Sequence, residues 1–175
     1  MRGLPAETDF VVIGAGVAGL RAAIELAVAG RVLLLTKKEA DNSATPALSD
    51  EEEVILHLQD TLIAGDGLCR LEAVKTLVDE GPERIEELIA WGRQLGRNGT
   101  KLIFETEASY SHSHVLRAPG DSTGAEILRT LQAQVQTRKN IFFHEFEFTT
   151  EFLTDNQRVT GISLIGKKGL PEAVA

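Results

Sequence analysis

The first residues whose types and spacing could do chemistry are Gly14-Ala15-Gly16-Val17-Ala18-Gly19, a G-x-G-x-x-G pattern. Glycines alone are a weak signal, because they also serve turns that bind nothing. Here the pattern closes an apolar run, Phe10-Val11-Val12-Ile13, and opens a segment of helical period, which is the setting that gives it meaning. Each glycine then has a task. Gly14 permits the tight turn, Gly16 lets a pyrophosphate approach the backbone, and Gly19 lets the helix pack close to the strand. N–H groups without partners at a helix start, with the positive end of the dipole behind them, suit phosphate. The chemistry implied is the holding of a dinucleotide.

The kind of dinucleotide is less constrained. Such units often end their second strand with an acid that holds ribose hydroxyls. This chain has Thr36-Lys37-Lys38 there, and its first acid is Glu39. A lysine at that point can neutralise a 2′-phosphate or stand as part of a solvated pair, so NAD(P) stays open beside FAD. Other constellations carry less. His112 and His114 alternate as on a strand, but no cysteine or acid cluster completes a metal site, and none is expected. His57 and Asp60, three apart on a helix, read as a surface pair. Cys69 reads as a small packed side chain. No G-x-S-x-G elbow supports a serine nucleophile.

The elements that must position the glycines follow from periodicity. Phe10–Ile13 and Val32–Leu35 are continuous apolar runs of the kind buried in parallel sheets. Between them Val17, Leu20, Ile24, Ala27 and Val28 recur at helical spacing, with Arg21 and Glu25 at i, i+4 and a stop at Gly30. This is a βαβ unit with a right-handed crossover. A polar stretch from Lys37 to Asp50 reads as a loop. A helix follows through Ile55, Leu58, Leu62 and Ile63, its start marked by the acids Glu51 to Glu53. Gly81-Pro82-Glu83 opens another, ended by Gly92. A last helix runs from Asp121 or Ser122 to about Thr137, and Ile141–Ile165 reads as a strand and then a hairpin broken at Asp155-Asn156-Gln157.

Composition narrows the class. In 175 residues, 43% are hydrophobic and 25% charged, which fits a globular domain and excludes a disordered or fibrous chain. The net charge of −8 argues against nucleic acid, a polyanion that needs a basic face. One cysteine allows no internal disulfide, no run approaches the ~20 apolar residues of a membrane span, and the first nine residues carry no secretory h-region. A cytoplasmic domain without a membrane span is expected.

Several segments together resemble the L-aspartate oxidases, within the succinate dehydrogenase and fumarate reductase flavoprotein family. They are Gly14 to Ala27, the Leu35-Thr36-Lys37 strand end, Asp60-Thr61-Leu62-Ile63-Ala64-Gly65 with Cys69, Gly81 to Ile85, Ala90-Trp91-Gly92 and Gly120 to Gly124. The resemblance implies an α/β, Rossmann-like FAD-binding domain over 1–175, the N-terminal portion of the family's chain, with a helical insertion at about 50–92. It implies FAD as cofactor, the backbone from Gly14 to Gly19 (Ala15, Val17 and Ala18 included) on the pyrophosphate, Lys37 near the adenosine and Ser43 on the pyrophosphate. Glu107 matches a glutamate beside the bound dicarboxylate, where it would meet an ammonium group.

The implied activity is oxidation of L-aspartate to iminoaspartate in quinolinate and NAD biosynthesis, with oxygen or fumarate as acceptor and quinolinate synthase as partner. Departures stand beside it. The family's Tyr-Ala-Gln-Gly-Gly-Ile segment after Ser43 is replaced by Ala44-Thr45-Pro46-Ala47, Tyr110 replaces a histidine, and His114 an arginine. No catalytic residue of the family falls within these positions. The expectation is therefore a truncated, inactive form, with an NAD(P)-binding module, a non-catalytic remnant, or a succinate dehydrogenase-like flavoprotein as alternatives.

Overall fold

The computed structural model describes residues 4–37, 51–92, 97–98, 101–102, 104–105, 115–116, 123–166, 169 and 171–175. In chain order the elements are β1 (Phe10–Ile13), α1 (Val17–Leu26), β2 (Val32–Thr36), α2 (Glu51–Ala64), α3 (Leu71–Ala90) and four two-residue strands. These are β3 (Arg97–Asn98), β4 (Lys101–Leu102), β5 (Phe104–Glu105) and β6 (Val115–Leu116). Then come α4 (Thr123–Thr137), β7 (Ile141–Glu145), β8 (Phe148–Asp155), β9 (Arg158–Ile165) and β10 (Pro171–Val174). Two compact units result: Met1–Ser43 with Leu131–Ala175, and Ala44–Thr130.

The first unit is built on a parallel sheet of order β1-β2-β7. Val32 pairs with both Phe10 and Ile141, and Leu35 with both Ile13 and His144. All five β2 residues are buried, and the first four, Val32–Leu35, form an unbroken apolar run with no polar alternation, as a strand covered on both faces requires. Side chains alternate along a strand, so Leu33 and Leu35 share one face. There they pack on Ile162, Leu164 and Val174 of the antiparallel sheet β10-β9-β8, with Leu4, Val11 and Phe142 around them. Burying each of these side chains contributes roughly 1.5–3 kcal/mol. The hairpin turn is Asn156-Gln157, both at positive φ (47° and 64°), the twist a two-residue loop needs. A further strand, β10, which the sequence did not signal, pairs with β9.

Helix α1 buries Leu20, Ala23 and Ile24 but ends at Leu26, four residues before the expected stop at Gly30. Val28, expected inward, is 90% exposed. The cause lies far along the chain: Asn140 Nδ2 donates to the carbonyls of Ala27 (2.6 Å) and Gly30 (2.7 Å), and holds the chain in a turn. On the other side of that turn Asp9 accepts from the Arg31 amide at 2.7 Å and from its guanidinium at 3.2 Å. Those two bonds hold the Asp9 carboxyl below its ordinary range.

In the second unit α3 begins at Leu71, not at the expected Gly81-Pro82, and Pro82 lies inside it. A proline there removes one backbone hydrogen bond, but Val74, Val78, Ile85 and Leu88 are buried, and their burial along one stripe outweighs the loss. Val74 and Val78 pack with Leu58, Leu62 and Cys69. Cys69 is thus a packed side chain, as expected. Its thiol reaches the Thr61 carbonyl at 3.6 Å, and a Cβ on Gly65 would come within 2.1 Å of its sulfur. A side chain at residue 65 would therefore have to displace that thiol. His57 and Asp60, expected at the surface, are both buried, with Thr61 Oγ1 3.4 Å from His57 Nε2. Ile127, Leu128, Leu131 and Val135 of α4 are buried as the period required.

Two outcomes follow. Asn140→Ala leaves two helix-end carbonyls short of a donor and should cost about 1–3 kcal/mol in denaturant unfolding. His144 has its pKa pushed down, chiefly by burial, with Glu172 opposing. The unfolded chain therefore takes up the proton first. Stability should fall as pH drops below about 6.5, and His144→Gln should flatten that slope in a Tm-versus-pH series.

Candidate functional site

The carboxyl ends of β1 and β2 meet at the glycine pattern, and β7 ends on the other side of β2. Gly14 leaves β1 at φ 107°, a conformation that a side chain disfavours, and its amide donates to the Leu35 carbonyl at 2.7 Å. The turn is thereby tied to the middle strand. Gly16 is the N-cap of α1, and its carbonyl accepts from the Leu20 amide at 2.9 Å. No side chain caps this end and no acid stands in the first turn. The first N–H groups of the helix consequently have no intrahelical acceptor. A Cβ built on Gly16 meets nothing within 4 Å, whereas one on Gly19 would lie 1.8 Å from the Gly14 carbonyl oxygen. Gly19 is therefore a packing glycine and Gly16 an open one.

Lys37 follows β2 directly and is exposed. Next to it the Thr36 carbonyl accepts from the Glu147 amide at 3.0 Å, so the turn after β7 is fixed to the same strand end. Phe146 in that turn adopts φ 64°, unusual for a bulky residue. Sequence reasoning did not single out this corner. The signal was there only in retrospect, since a third parallel strand puts its own carboxyl end beside the other two.

The structure thus brings together Gly14, Ala15, Gly16, Val17, Ala18, Gly19 and Lys37 at one sheet edge. Ser43 and Glu107 lie outside the described residues, as do Pro46, Tyr110, His112 and His114. Among the described residues no group of three or more His, Cys, Asp or Glu could hold a metal ion. No described helix is long and apolar enough to cross a membrane.

Residues 9–170 match the profile of the FAD binding domain. This chain belongs to the FAD binding domain family. FAD is the cofactor that goes with it. Within the family the chain is 40% identical to the chloroplastic L-aspartate oxidase of Oryza sativa subsp. japonica over 156 residues, which are 83% of this chain and 24% of that one. It is 37% identical to the L-aspartate oxidase of Streptomyces coelicolor over 167 residues, 89% of this chain and 29% of that one. Its fold superposes on an E. coli quinol fumarate reductase with TM-score 0.82 and 26% identity, covering 91% of this chain and 29% of that one. The chain spans about a quarter of the length of the curated relatives it matches.

The edge fits such a cofactor. An uncapped helix start, an acid-free first turn, an open Gly16 and an exposed lysine form a cradle in which backbone N–H groups can meet a pyrophosphate. The two glycines should separate stability from binding. Gly19→Ala forces α1 off the Gly14 carbonyl and should cost about 1–3 kcal/mol in chemical denaturation. Gly16→Ala should stay within about 1 kcal/mol of the parent. It should nevertheless weaken FAD binding roughly tenfold or more in a fluorescence titration, the worth of one charge-assisted hydrogen bond.

Proposed function

We propose that this chain is the dinucleotide-holding, N-terminal part of an L-aspartate oxidase. The observation that carries the reading is its 33–40% identity, over most of its own length, to relatives bearing that name. In this reading the backbone from Gly14 to Gly19 holds the FAD pyrophosphate together with Ser43, and Lys37 stands at the adenosine side. Glu107 meets the ammonium group of the substrate, the feature that separates aspartate from an unsubstituted dicarboxylate. The helices α2 and α3, over about 50–92, are an insertion in the same domain. When bound, FAD supplies the two-electron acceptor for converting aspartate to iminoaspartate.

The protein's part is position and charge. The helix start neutralises phosphate charge without a side chain, Lys37 adds one cation nearby, and the buried β2 keeps the edge rigid. Reoxidation by oxygen or fumarate, delivery of the product to quinolinate synthase, and a cytoplasmic setting belong to the same proposal. NAD(P) is the weaker reading, because residues 9–170 match an FAD binding domain.

The stretch after Ser43 limits what these 175 residues do alone. Pro46 has no N–H to offer where the resemblance calls for backbone donors along the flavin. The 175-residue chain should therefore bind FAD weakly, and aspartate should not bleach the flavin absorbance. Thermal-shift titration with FAD and NADPH side by side tests the first point. A Tm that rises with FAD and not with NADPH supports the reading, and the reverse order overturns it. Aspartate-dependent bleaching of the visible flavin band would overturn the second.

A further inference from the structure

The two sheets of the first unit meet in an apolar joint, and an imidazole stands at one end of it. Successive side chains of a strand alternate, so His144 shares a face with Phe142. Phe142 lies against the cluster formed by Leu33, Leu35, Ile162, Leu164 and Val174, where the parallel and antiparallel sheets pack together. His144 therefore faces the antiparallel sheet, level with Leu35, its register partner on β2. It is half-buried there.

The surroundings of this joint favour the neutral ring. β2 brings Leu33 and Leu35 to it, β9 brings Ile162 and Leu164, and the segment before β1 brings Leu4. β8 brings Thr149, the register partner of Leu164. Among the described residues the charge on this face is Glu172 of β10, two residues before the buried Val174. Glu145, next to His144, points to the opposite face by alternation. Burial outweighs the Glu172 carboxylate in its effect on the imidazole, and the chain's amino group works in the same direction as burial. The same end of the joint carries the glycine turn: the Leu35 carbonyl accepts from the Gly14 amide at 2.7 Å, and the Thr36 carbonyl from the Glu147 amide at 3.0 Å. The strand that aligns the turn is thus covered on one face by the sheet that His144 faces.

We propose that His144 is an acid-operated release: proton uptake there parts the antiparallel sheet from β2, uncovers the joint and speeds the departure of the dinucleotide. The last step rests on the reading of this edge as an FAD site. An imidazole takes its proton more readily where water reaches it, so the parted form is charged first, at the ordinary histidine value of about 6.5. The closed form is charged only at lower pH. Stability of the closed joint is therefore complete above that value and is lost as pH falls below it. Over one pH unit below about 6.5 the parted population should rise up to about tenfold.

The test compares the full 175-residue chain with His144→Gln and His144→Phe at about pH 7.5 and about pH 5.5. In the ligand-free protein, emission of anilinonaphthalene sulfonate reports apolar surface that becomes uncovered. In the FAD-loaded protein, stopped-flow dilution gives the rate of FAD release. On acidification the parent should gain dye emission and release FAD about five- to tenfold faster. Both variants should hold their release rates within about twofold across the range, because neither takes up the proton. The phenylalanine variant should also show no rise in dye emission, and its apolar ring keeps the joint filled if the glutamine variant folds poorly. A parent release rate that ignores pH, or variants that quicken as the parent does, would overturn the proposal. If the parent holds no FAD at the higher pH, the reading of the edge fails by itself and the dye still decides the joint. Emission rising in the parent and not in the phenylalanine variant upholds the release; equal emission overturns it.

Discussion

The site hangs on one contact, the approach of Gly19 to the Gly14 carbonyl. A methyl group at residue 19 would sit 1.8 Å from that oxygen, so α1 can begin where it does only because no side chain is there. The same turn is held from below by the Gly14 amide on the Leu35 carbonyl. Two restraints, one steric and one polar, thus set the angle at which the helix leaves the sheet. The direction of the first free N–H groups follows from it. A phosphate site made of backbone has no rotamers to search, and its precision is that of the strand beneath it.

That strand is held between neighbours on both sides, β1 and β7. β2 is buried along its whole length, and its terminal carbonyls are each occupied: Leu35 by Gly14, Thr36 by Glu147. The chain carries −8 overall, and yet the edge offers an anion an acid-free helix start and Lys37. Local dipoles decide here over net charge, because the helix end acts at contact distance while surface carboxylates are screened by salt within about 10 Å.

Much of this edge is legible in the sequence, and the reasons are local. A glycine turn between a solid apolar run and a helical period can be read from about 27 residues in a row. The parts that were not legible depend on partners far away. Asn140 ends α1 from more than a hundred residues downstream, and nothing near Leu26 announces it. Gly81-Pro82 looks like a helix start because it is one by local propensity, and only the buried stripe of α3 carries the helix through it. His57 and Asp60 have the composition of a surface pair, but their helix turns them inward. Ser43 and Glu107, named from resemblance, fall outside the described residues, so their roles rest on that resemblance.

The central claim is that the backbone of the glycine turn is itself the phosphate site. The most direct measurement is the amide chemical-shift map of the 15N-labelled chain as FAD is added. The account predicts that the largest shifts fall on the amides from Ala15 to Gly19, with smaller ones at Lys37 and the Phe146–Glu147 corner. The hairpin tip at Asn156-Gln157 should stay in place. Largest shifts at the hairpin tip or in α3, with the turn from Gly14 to Gly19 unmoved, would contradict it.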